Sequence, residues 1–228
     1  MKEVKIQFEM ELISPLHIGT GEGFSGIIDK RTISHQKNNQ RFPIILGHSV
    51  KGIIKEEFRK LQSFLACPAS YIEEIFGMEN RTGSFYFSPC RLDEKIEEIL
   101  EKYGTDHVFQ VKSGNQIVRG RKVAKAERLF THEVVNDHVK FHGHLQGYTK
   151  EPATASSLPE PIILLLFALK GMRKMGGRRR SGLGTCQVNI TEVQYGDKKY
   201  TGSKVISILN QYIEDLEKGA KSNEAKSI

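Results

Sequence analysis

The stretch Gly176-Gly177-Arg178-Arg179-Arg180-Ser181-Gly182-Leu183-Gly184 separates two segments with different hydrophobic patterns. An apolar run, Ile162 to Leu169, precedes it, and an alternating segment, Cys186 to Val193, follows it. This order predicts a helix, a glycine-rich turn and a strand. Consecutive N–H groups in such a turn can face an anion, and arginine side chains match the geometry of phosphate. The stretch therefore indicates either a cradle for a phosphate backbone, with RNA as the candidate, or a flexible basic surface turn.

The composition favours a partner that carries negative charge. The 228 residues have a formal net charge of +7 and a sequence pI of about 9.2. Several cations cluster within one short segment, namely Lys170, Arg173, Lys174, Arg178, Arg179 and Arg180. Phosphate binding needs several cations on one face, so this clustering indicates nucleic-acid binding more strongly than the net charge does.

The cysteine pattern and the hydropathy predict a cytoplasmic protein that is not attached to a membrane. Cys67, Cys90 and Cys186 are widely spaced, which argues against a disulfide framework and a cysteine zinc site and fits a reducing compartment. The first residues show no signal-peptide pattern. The longest apolar run is far shorter than the roughly 20 residues that a membrane-spanning helix needs.

The first half of the chain predicts two strands and two helices. Alternation from Val4 to Leu12 predicts a strand with one apolar face, and Phe85 and Phe87 predict a second strand. Ser49 is a candidate N-cap for a helix between them. The apolar stripe of that helix consists of Val50, Ile53, Ile54, Phe58, Leu61, Phe64 and Leu65. The second helix spans 93–103, and the side chains expected to turn inward are Ile96, Ile99, Leu100 and Tyr103.

The second half begins with a polar, basic stretch, 106–125, which predicts a projecting β-hairpin or a flexible arm. The alternating segment 128–145 contains four histidines, His132, His138, His142 and His144. His142 and His144 should share one strand face, but the spacing matches no standard zinc pattern, so the roles of these histidines stay open. A last helix should begin at Gly202 and end at Gly219. Its expected inward side chains are Val205, Ile206, Leu209, Tyr212, Ile213 and Leu216.

The predicted order is strand, helix, strand, inserted arm, strand, helix, strand. This order is typical of an α+β fold with a ferredoxin-like or RRM-like core, here with an inserted β-hairpin and loop insertions. We expect one domain over residues 1–228, with an insertion at about 105–127 and a flexible tail at 220–228. Such sheets commonly bind RNA on an open face. The aromatic pair of the usual RRM sheet motif is not visible, so we expect loops and helix ends to hold RNA.

Six short motifs occur in order between residues 16 and 184. They are Leu16-His17-Ile18-Gly19-Thr20-Gly21, Ile27-Ile28-Asp29, Pro43 followed by Gly47-His48-Ser49-Val50-Lys51-Gly52, Ile75-Phe76-Gly77, the spaced set Lys112, Asn115, Ile117, Arg119 and Ala124, and Gly176 to Gly184. Together they resemble the RAMP superfamily of CRISPR proteins. More narrowly, the set is similar to the repeated backbone subunit of type III effector complexes, and it covers most of residues 4–194.

The resemblance implies a protein that binds guide RNA. The helix start and the glycine-rich loop would grip guide phosphates, and the hairpin, called the thumb in this family, would intrude into the guide–target duplex. The implied RNA-binding residues are His17, His48, Ser49, Lys51, Lys112, Asn115, Arg119, Gly177, Arg178, Arg179, Arg180 and Ser181. The implied partners are the guide RNA, the target RNA, other copies of the same subunit in a filament, and other effector-complex subunits.

The resemblance also implies a catalytic role for Asp29. In the family, the matching aspartate serves metal-dependent cleavage of the target RNA that pairs with the guide. Asp29 would then be both the catalytic residue and a weak metal ligand. A single carboxylate holds Mg²⁺ or Mn²⁺ poorly without substrate oxygens. We therefore expect one of these ions only if the protein is catalytic, and no tightly bound cofactor.

Departures from the family pattern leave alternatives open. His48 replaces a common serine, Gly114 and Val118 replace acidic residues of the thumb, and the serine-proline that often follows the catalytic aspartate is absent after Asp29. One alternative is a guide-RNA scaffold subunit without catalysis. Another is a metal-independent endoribonuclease that processes the guide precursor, with His17 or His35 as general base. The least specific alternative is a basic ferredoxin-like RNA-binding domain.

Overall fold

The computed structural model describes residues 1–20, 28–118, 123–150, 152 and 158–224, and the side chains of 115–118, 123–129 and 219–224 lie outside this description. The strands are β1 (Lys2–Leu12), β2 (Ser34–Lys37), β3 (Gln40–Pro43), β4 (Gly77–Met78), β5 (Arg81–Thr82), β6 (Phe85–Phe87), β7 (Phe109–Val118), β8 (Val123–Val135), β9 (Lys140–Thr149), β10 (Cys186–Tyr195) and β11 (Lys198–Thr201). The helices are α1 (Gly47–Leu65), α2 (Ser70–Phe76), α3 (Glu94–Tyr103), α4 (Glu160–Gly171) and α5 (Gly202–Glu224), with a 3-10 turn at Arg179–Ser181.

The central sheet is five-stranded and antiparallel, in the order β11-β10-β1-β9-β6. Helix α1 connects β1 to β6, and β9 lies between these two strands. Helix α4 connects β9 to β10, and β1 lies between them. Each helical connection therefore skips one strand, which is the split β-α-β arrangement. This topology confirms the predicted α+β fold with a ferredoxin-like core.

The core lies between one face of this sheet and the helices. Alternate residues of β1, from Val4 to Leu12, are fully buried, while Lys5 and Gln7 lie on the opposite face. Helix α4 is buried on nearly all sides, as its continuous apolar run predicts. Tyr212 of α5 donates a hydrogen bond to Glu160 at the start of α4 (2.7 Å), so α5 packs on the same side as α4. Burying each large aliphatic side chain stabilises the fold by about 1.5–3 kcal/mol.

The glycine-rich turn closes between α4 and β10, as predicted. The Met175 N–H donates to the Gly184 carbonyl (2.7 Å), and the Cys186 N–H donates to the Arg173 carbonyl (2.9 Å). Gly184 has a φ of +75°, and a Cβ atom there would collide with the Met175 carbonyl oxygen. Only glycine meets both conditions without strain. The two ends of the turn are therefore fixed to each other while the arginines project from its tip.

Strands β7 and β8 pair with each other in a separate two-stranded hairpin, from Phe109 opposite Val135 to Val118 opposite Val123. The pairing confirms a hairpin where the polar stretch 106–125 predicts a hairpin or an arm. Strand β8 continues to Val135, and a turn then separates it from β9. The basic tip residues 119–122, including Arg119, lie outside the described residues, and so does the end of the predicted tail, 225–228.

Helix α1 begins earlier than predicted. Its N-cap is Leu46, which makes no side-chain cap bond, so Ser49 is the third helical residue and the predicted N-cap is wrong. Val50, Ile54 and Phe58 are buried as expected. Phe64, predicted on the same apolar stripe, is 87% exposed, whereas the neighbouring Leu61 and Leu65 pack against the core.

Helices α3 and α5 also depart from their predicted faces. In α3, Glu97 is buried against Lys37 of the β2–β3 hairpin, whereas most of the predicted inward set is exposed, namely Ile96, Ile99 and Tyr103. The hairpin offers α3 polar partners rather than an apolar surface, so the apolar side turns outward. In α5, Val205 and Leu209 are buried, but the outer predicted residues are exposed, namely Ile206, Ile213 and Leu216. Helix α5 also passes the predicted end at Gly219 and reaches Glu224.

Every helix within the described ranges is too short or too polar to cross a bilayer.

The Gly184→Ala substitution tests the closure of the turn. It should lower the free energy of unfolding by about 2 kcal/mol or more, because alanine is strained at positive φ and its Cβ meets Met175. Gly171→Ala is the matched control, since it lies in α4 and an added Cβ meets nothing. Urea unfolding measures both. Equal stability of Gly184→Ala and the wild type would contradict this description of the turn.

Candidate nucleic-acid interface

The basic loop, residues 176–184, rests on the segment that follows β1. The Gly177 N–H donates to the His17 carbonyl (2.8 Å), and the Gly184 N–H donates to the Pro15 carbonyl (2.9 Å). Arg178 has a φ of +55° and is half-buried, while Arg179, Arg180 and Ser181 are exposed. The loop backbone is therefore held from below, and the charged side chains above it face solvent.

Two contacts connect this loop to neighbouring elements. The Arg178 guanidinium lies over the Phe130 ring of β8, 4.3 Å from its centroid. The Arg179 guanidinium lies 4.0 Å from a carboxylate oxygen of Glu56 in α1. An exposed ion pair of this length contributes little stability, but it shows where the loop lies. The basic loop thus bridges the base of the β7–β8 hairpin and the flank of α1.

The start of α1 presents a positive helix end to solvent. His48 is exposed, Ser49 and Lys51 are half-buried, and the first turn has no acidic residue that would neutralise the helix dipole. The Lys51 ammonium lies 5.9 Å from the Phe87 ring centroid, at the edge of the sheet. Unpaired N–H groups, the dipole and a nearby cation are the features that bind a phosphate at a helix start.

His17 is buried beneath the basic loop, with only 4% of it exposed. Its Nδ1 donates to the Glu133 carbonyl (2.7 Å), and its ring meets the His132 ring edge-on at 5.4 Å. The structure therefore places His17 as a support under the loop rather than on the solvent-facing surface. An RNA contact by His17 would have to come through its backbone or after a shift of the loop.

His132 is buried in β8. Its ring contacts that of His17, and its backbone pairs with Lys112 of β7 across the hairpin. Burial lowers its pKa, and the charges of Arg178, His17 and Lys112 lower it further. The imidazole is therefore neutral at pH 7. Within the described part of the chain, its Nδ1 has no hydrogen-bond partner. Sequence analysis found this histidine but left its role open.

Glu133 is the buried carboxylate below this site. Arg41 of β3 donates two hydrogen bonds to it (3.0 and 2.8 Å), and the Thr32 N–H donates a third (3.1 Å). Its own N–H donates to the Lys30 carbonyl (2.9 Å). Burial alone would raise the pKa of Glu133, but the hydrogen bonds from Arg41 and Thr32 and the nearby positive charges outweigh it, so the pKa is lowered. Glu133 joins β8, β3 and the segment that carries Asp29.

Asp29 is exposed and is held against β8 by Thr131. The Thr131 N–H and hydroxyl both donate to Asp29 Oδ2 (2.5 and 3.3 Å), and the Asp29 N–H donates back to Thr131 Oγ1 (3.1 Å). The carboxylate is thus fixed on β8 at Thr131, opposite Ser113 of the hairpin. The described residues contain no group of three side chains of the types that commonly bind metals. Asp29 fits a divalent cation only if RNA oxygens and water complete the shell.

The structure brings together only part of the predicted RNA-binding set. The basic loop, Asp29, Lys112 and the buried His17 lie around the base of the hairpin, and the loop meets α1 at Glu56, farther along the helix than Ser49 and Lys51. Asn115 lies farther along β7 opposite Leu129, and its side chain is outside the described part. His35, the other candidate base, stacks on Phe42 and faces Glu97 of α3 (3.6 Å) instead.

The remaining histidines lie on or beside the polar face of the sheet. His142 and His144 share that face of β9, as predicted. His142 lies 3.9 Å from Glu9 and 4.0 Å from Asp93, and His138 lies 3.8 Å from Glu11 in the turn before β9.

Sequence reasoning missed four residues that shape the site, namely Arg41, Phe130, Thr131 and Glu133. The alternation in β8 was the available signal, because it sends Phe130 and His132 to one face and Thr131 and Glu133 to the other. Nothing in the sequence connects Glu133 to Arg41, which lies 92 positions away.

The Glu133→Gln substitution tests the buried pair. Glutamine keeps the shape but leaves Arg41 without a counter-charge, so the free energy of unfolding at pH 7 should fall by about 3 kcal/mol. The folded-state pKa is lowered, so the stabilisation is present above the unfolded pKa of about 4.3 and is lost as pH falls through the folded pKa.

Urea unfolding at pH 7 and at successively lower pH should therefore show a wild-type advantage that shrinks as the solution becomes acidic. Glu192→Gln, which removes an exposed partner of Lys199, is the control and should change stability by less than about 1 kcal/mol. A Glu133→Gln protein with wild-type stability at pH 7 would exclude this role for the pair.

Comparison with known proteins identifies the family. The model of the RAMP superfamily matches residues 9–187. A search of curated proteins finds no match. Among solved structures, similar chains occur in the cryo-EM structure of type III-B Cmr-beta in its apo state and in that of type III-B Cmr-beta bound to cognate target RNA.

Both structural alignments have a TM-score of 0.58 at 14% identity. They cover 82% and 81% of this chain and 96% of the other chain in each case. Such low identity supports a shared fold and nothing finer. The family match, in contrast, spans well over half of the sequence, and this chain therefore belongs to the RAMP superfamily.

Proposed function

We propose that this protein is a backbone subunit of a type III CRISPR effector complex, which binds guide RNA and cleaves the complementary target RNA at Asp29. The position of Asp29 carries the proposal, since Thr131 fixes its carboxylate on β8, the hairpin strand whose Phe130 contacts Arg178 of the basic loop. Membership of the RAMP superfamily supports it, as does the similarity to Cmr-beta chains, one of them in a structure with cognate target RNA.

Guide binding would use the start of α1 and the basic loop. The first turn of α1 offers N–H groups and Lys51, and the loop offers Arg178, Arg179 and Arg180. Contacts with phosphates fix the register of an RNA strand but carry no sequence information. Pairing between guide and target would supply the specificity, as in other RNA-guided systems.

Cleavage would take place where the target strand passes the base of the hairpin. The ribose 2′-oxygen would attack the adjacent phosphorus, and the 5′-oxygen of the next nucleotide would leave and take up a proton. A bound Mg²⁺ or Mn²⁺ would supply charge stabilisation at the phosphate and the leaving oxygen. Asp29 would hold the ion together with RNA oxygens, while Thr131 orients the carboxylate. We therefore expect weak metal binding in the absence of RNA.

Assembly with neighbouring subunits fits the exposed apolar side chains. The outer side of α3 presents Ile96, Ile99 and Tyr103, and α1 ends with the exposed Phe64. Exposed apolar groups of this kind commonly mark protein–protein contacts. We propose that copies of this subunit line up along one guide RNA and contact other effector subunits.

A guide-RNA scaffold without catalysis is the second candidate. The observation that favours it is the network between Asp29 and Thr131, because a structural aspartate also bonds to nearby backbone N–H and hydroxyl groups. The two candidates share every RNA contact and differ only in whether Asp29 takes part in cleavage.

The Asp29→Asn substitution separates these candidates. Asparagine keeps an oxygen that accepts from Thr131 but removes the charge, so cleavage should fall by a factor of about 100 or more while guide binding stays unchanged. The assay uses protein assembled on a defined guide RNA, a labelled complementary RNA, and Mg²⁺ or Mn²⁺. Asp197→Asn, in the exposed turn between β10 and β11, is the control. Cleavage at the wild-type rate by Asp29→Asn would refute the catalytic assignment.

The Lys51→Ala and Arg180→Ala substitutions test the guide grip, which is our name for the start of α1 together with the basic loop. Each should lower the affinity for guide RNA by a similar factor, whatever the guide sequence. Each should also reduce the slope of log K against log salt concentration by about 1. Filter binding over a range of salt concentrations measures both quantities. Lys199→Ala, an exposed cation on β11, is the control. Unchanged slopes, or losses that depend on the guide sequence, would exclude these contacts.

A further inference from the structure

The face of the sheet opposite the helices contains a concave pocket of about 570 Å³. Residues of β1, β6 and β9 and the segment after β6 line it, among them Lys5, Tyr86, Ser88, Arg91 and His144. None of them belongs to the guide grip or to the Asp29 site. The pocket is therefore a second concave surface with its own chemistry.

Among the described residues, the lining of the pocket contains two cations and no carboxylate. In the backbone pairing of the sheet, Lys5 lies opposite Gln146 of β9, and Arg91 lies opposite His142 of the same strand. These two positions on β9 are four residues apart, which corresponds to about 13 Å along a strand. Acidic side chains lie at both ends, with Glu9 and Asp93 against His142 and with Glu3 accepting a hydrogen bond from Gln146 beside Lys5 (2.8 Å). The two cations within the lining favour an anionic ligand between these acidic ends.

Two aromatic rings are neighbours in this pocket, with their planes inclined by 52° to each other. Tyr86 is 59% exposed, and its ring centroid lies 6.2 Å from that of His144. The His144 backbone is fixed by a hydrogen bond from its N–H to the Ser88 hydroxyl (2.8 Å). Burial and the nearby charge of Lys5 lower the pKa of His144, so the ring is neutral at pH 7. An exposed tyrosine beside a neutral imidazole on a sheet is a stacking surface for a nucleobase.

We propose that this pocket binds a short stretch of single-stranded RNA, with a base stacked on Tyr86 and His144 and phosphates at Lys5 and Arg91. This site goes beyond the guide grip and does not depend on it. Sequence analysis saw no aromatic pair of the RRM type, because one partner is a histidine and the two rings lie 58 positions apart. Antiparallel pairing of β6 with β9 brings them together.

The test is a titration of the full chain with a ten-nucleotide uridine oligomer, followed by fluorescence anisotropy. Lys51→Ala/Arg180→Ala serves as the background, so that binding at the guide grip is suppressed. In this background Tyr86→Ala should lower the affinity for the uridine oligomer about tenfold and leave the affinity for an abasic oligomer of equal length unchanged. Arg91→Ala should lower the affinity for both oligomers and make that affinity less dependent on salt concentration.

Two matched controls lie on the same face of β9 outside the pocket lining, namely Tyr148→Ala and Lys140→Ala, and both should bind like the background protein. Crosslinking of a 4-thiouridine oligomer should map to the peptides that contain Tyr86 or His144. The proposal is overturned if the background protein does not bind the oligomer, or if Tyr86→Ala binds it with unchanged affinity. Neither result would bear on the proposal that the guide grip binds guide RNA, which the Lys51→Ala substitution alone tests separately.

Discussion

The pair formed by the buried Glu133 and the half-buried Arg41 is the interaction on which the candidate site depends. Two hydrogen bonds join the side chains, and a third comes from Thr32. The Glu133 carbonyl also accepts a hydrogen bond from His17 Nδ1, and the Glu133 N–H donates to the Lys30 carbonyl. A single residue thus connects the hairpin, the β2–β3 hairpin, the support of the basic loop and the segment of Asp29. Removal of one partner would leave a charge buried without compensation, which is far more costly than loss of a surface pair.

The position of positive charge follows from this framework. The loop backbone is held from below by the carbonyl groups of Pro15 and His17, so its arginines project toward solvent. Arg178 covers Phe130 at the base of the hairpin, and Arg179 points to the flank of α1. The loop therefore lies between the base of the hairpin and the flank of α1. Exposed arginines on such a loop suit a strand of phosphates, and Thr131 holds Asp29 on β8 of the hairpin that Arg178 contacts.

The sequence predicted those parts of the fold in which local pattern and burial agree. The alternation in β1 and the apolar run of α4 each have one physical solution, a sheet with one buried face and a helix buried on all sides. Outside the core the pattern was misleading. Glu97 of α3 is buried because the β2–β3 hairpin offers it Lys37, and Ile96 and Ile99 then face solvent. Tertiary partners decide such faces, and the sequence does not show them.

The candidate site divides in the same way. Lys51 and the basic loop were visible because glycines and cations stand out locally, whereas Asp29 was assigned only through the family resemblance. Their support by Thr131, Glu133 and Arg41 was not visible, since it arises from strand pairing between distant segments. A cryo-EM structure of the protein assembled on guide RNA with a complementary, non-cleavable target tests the central claim most directly. We expect a target phosphate within bridging distance of one hydrated cation at Asp29, with guide phosphates on the α1 start and the basic loop. A target strand that passes far from the base of the hairpin would contradict the account.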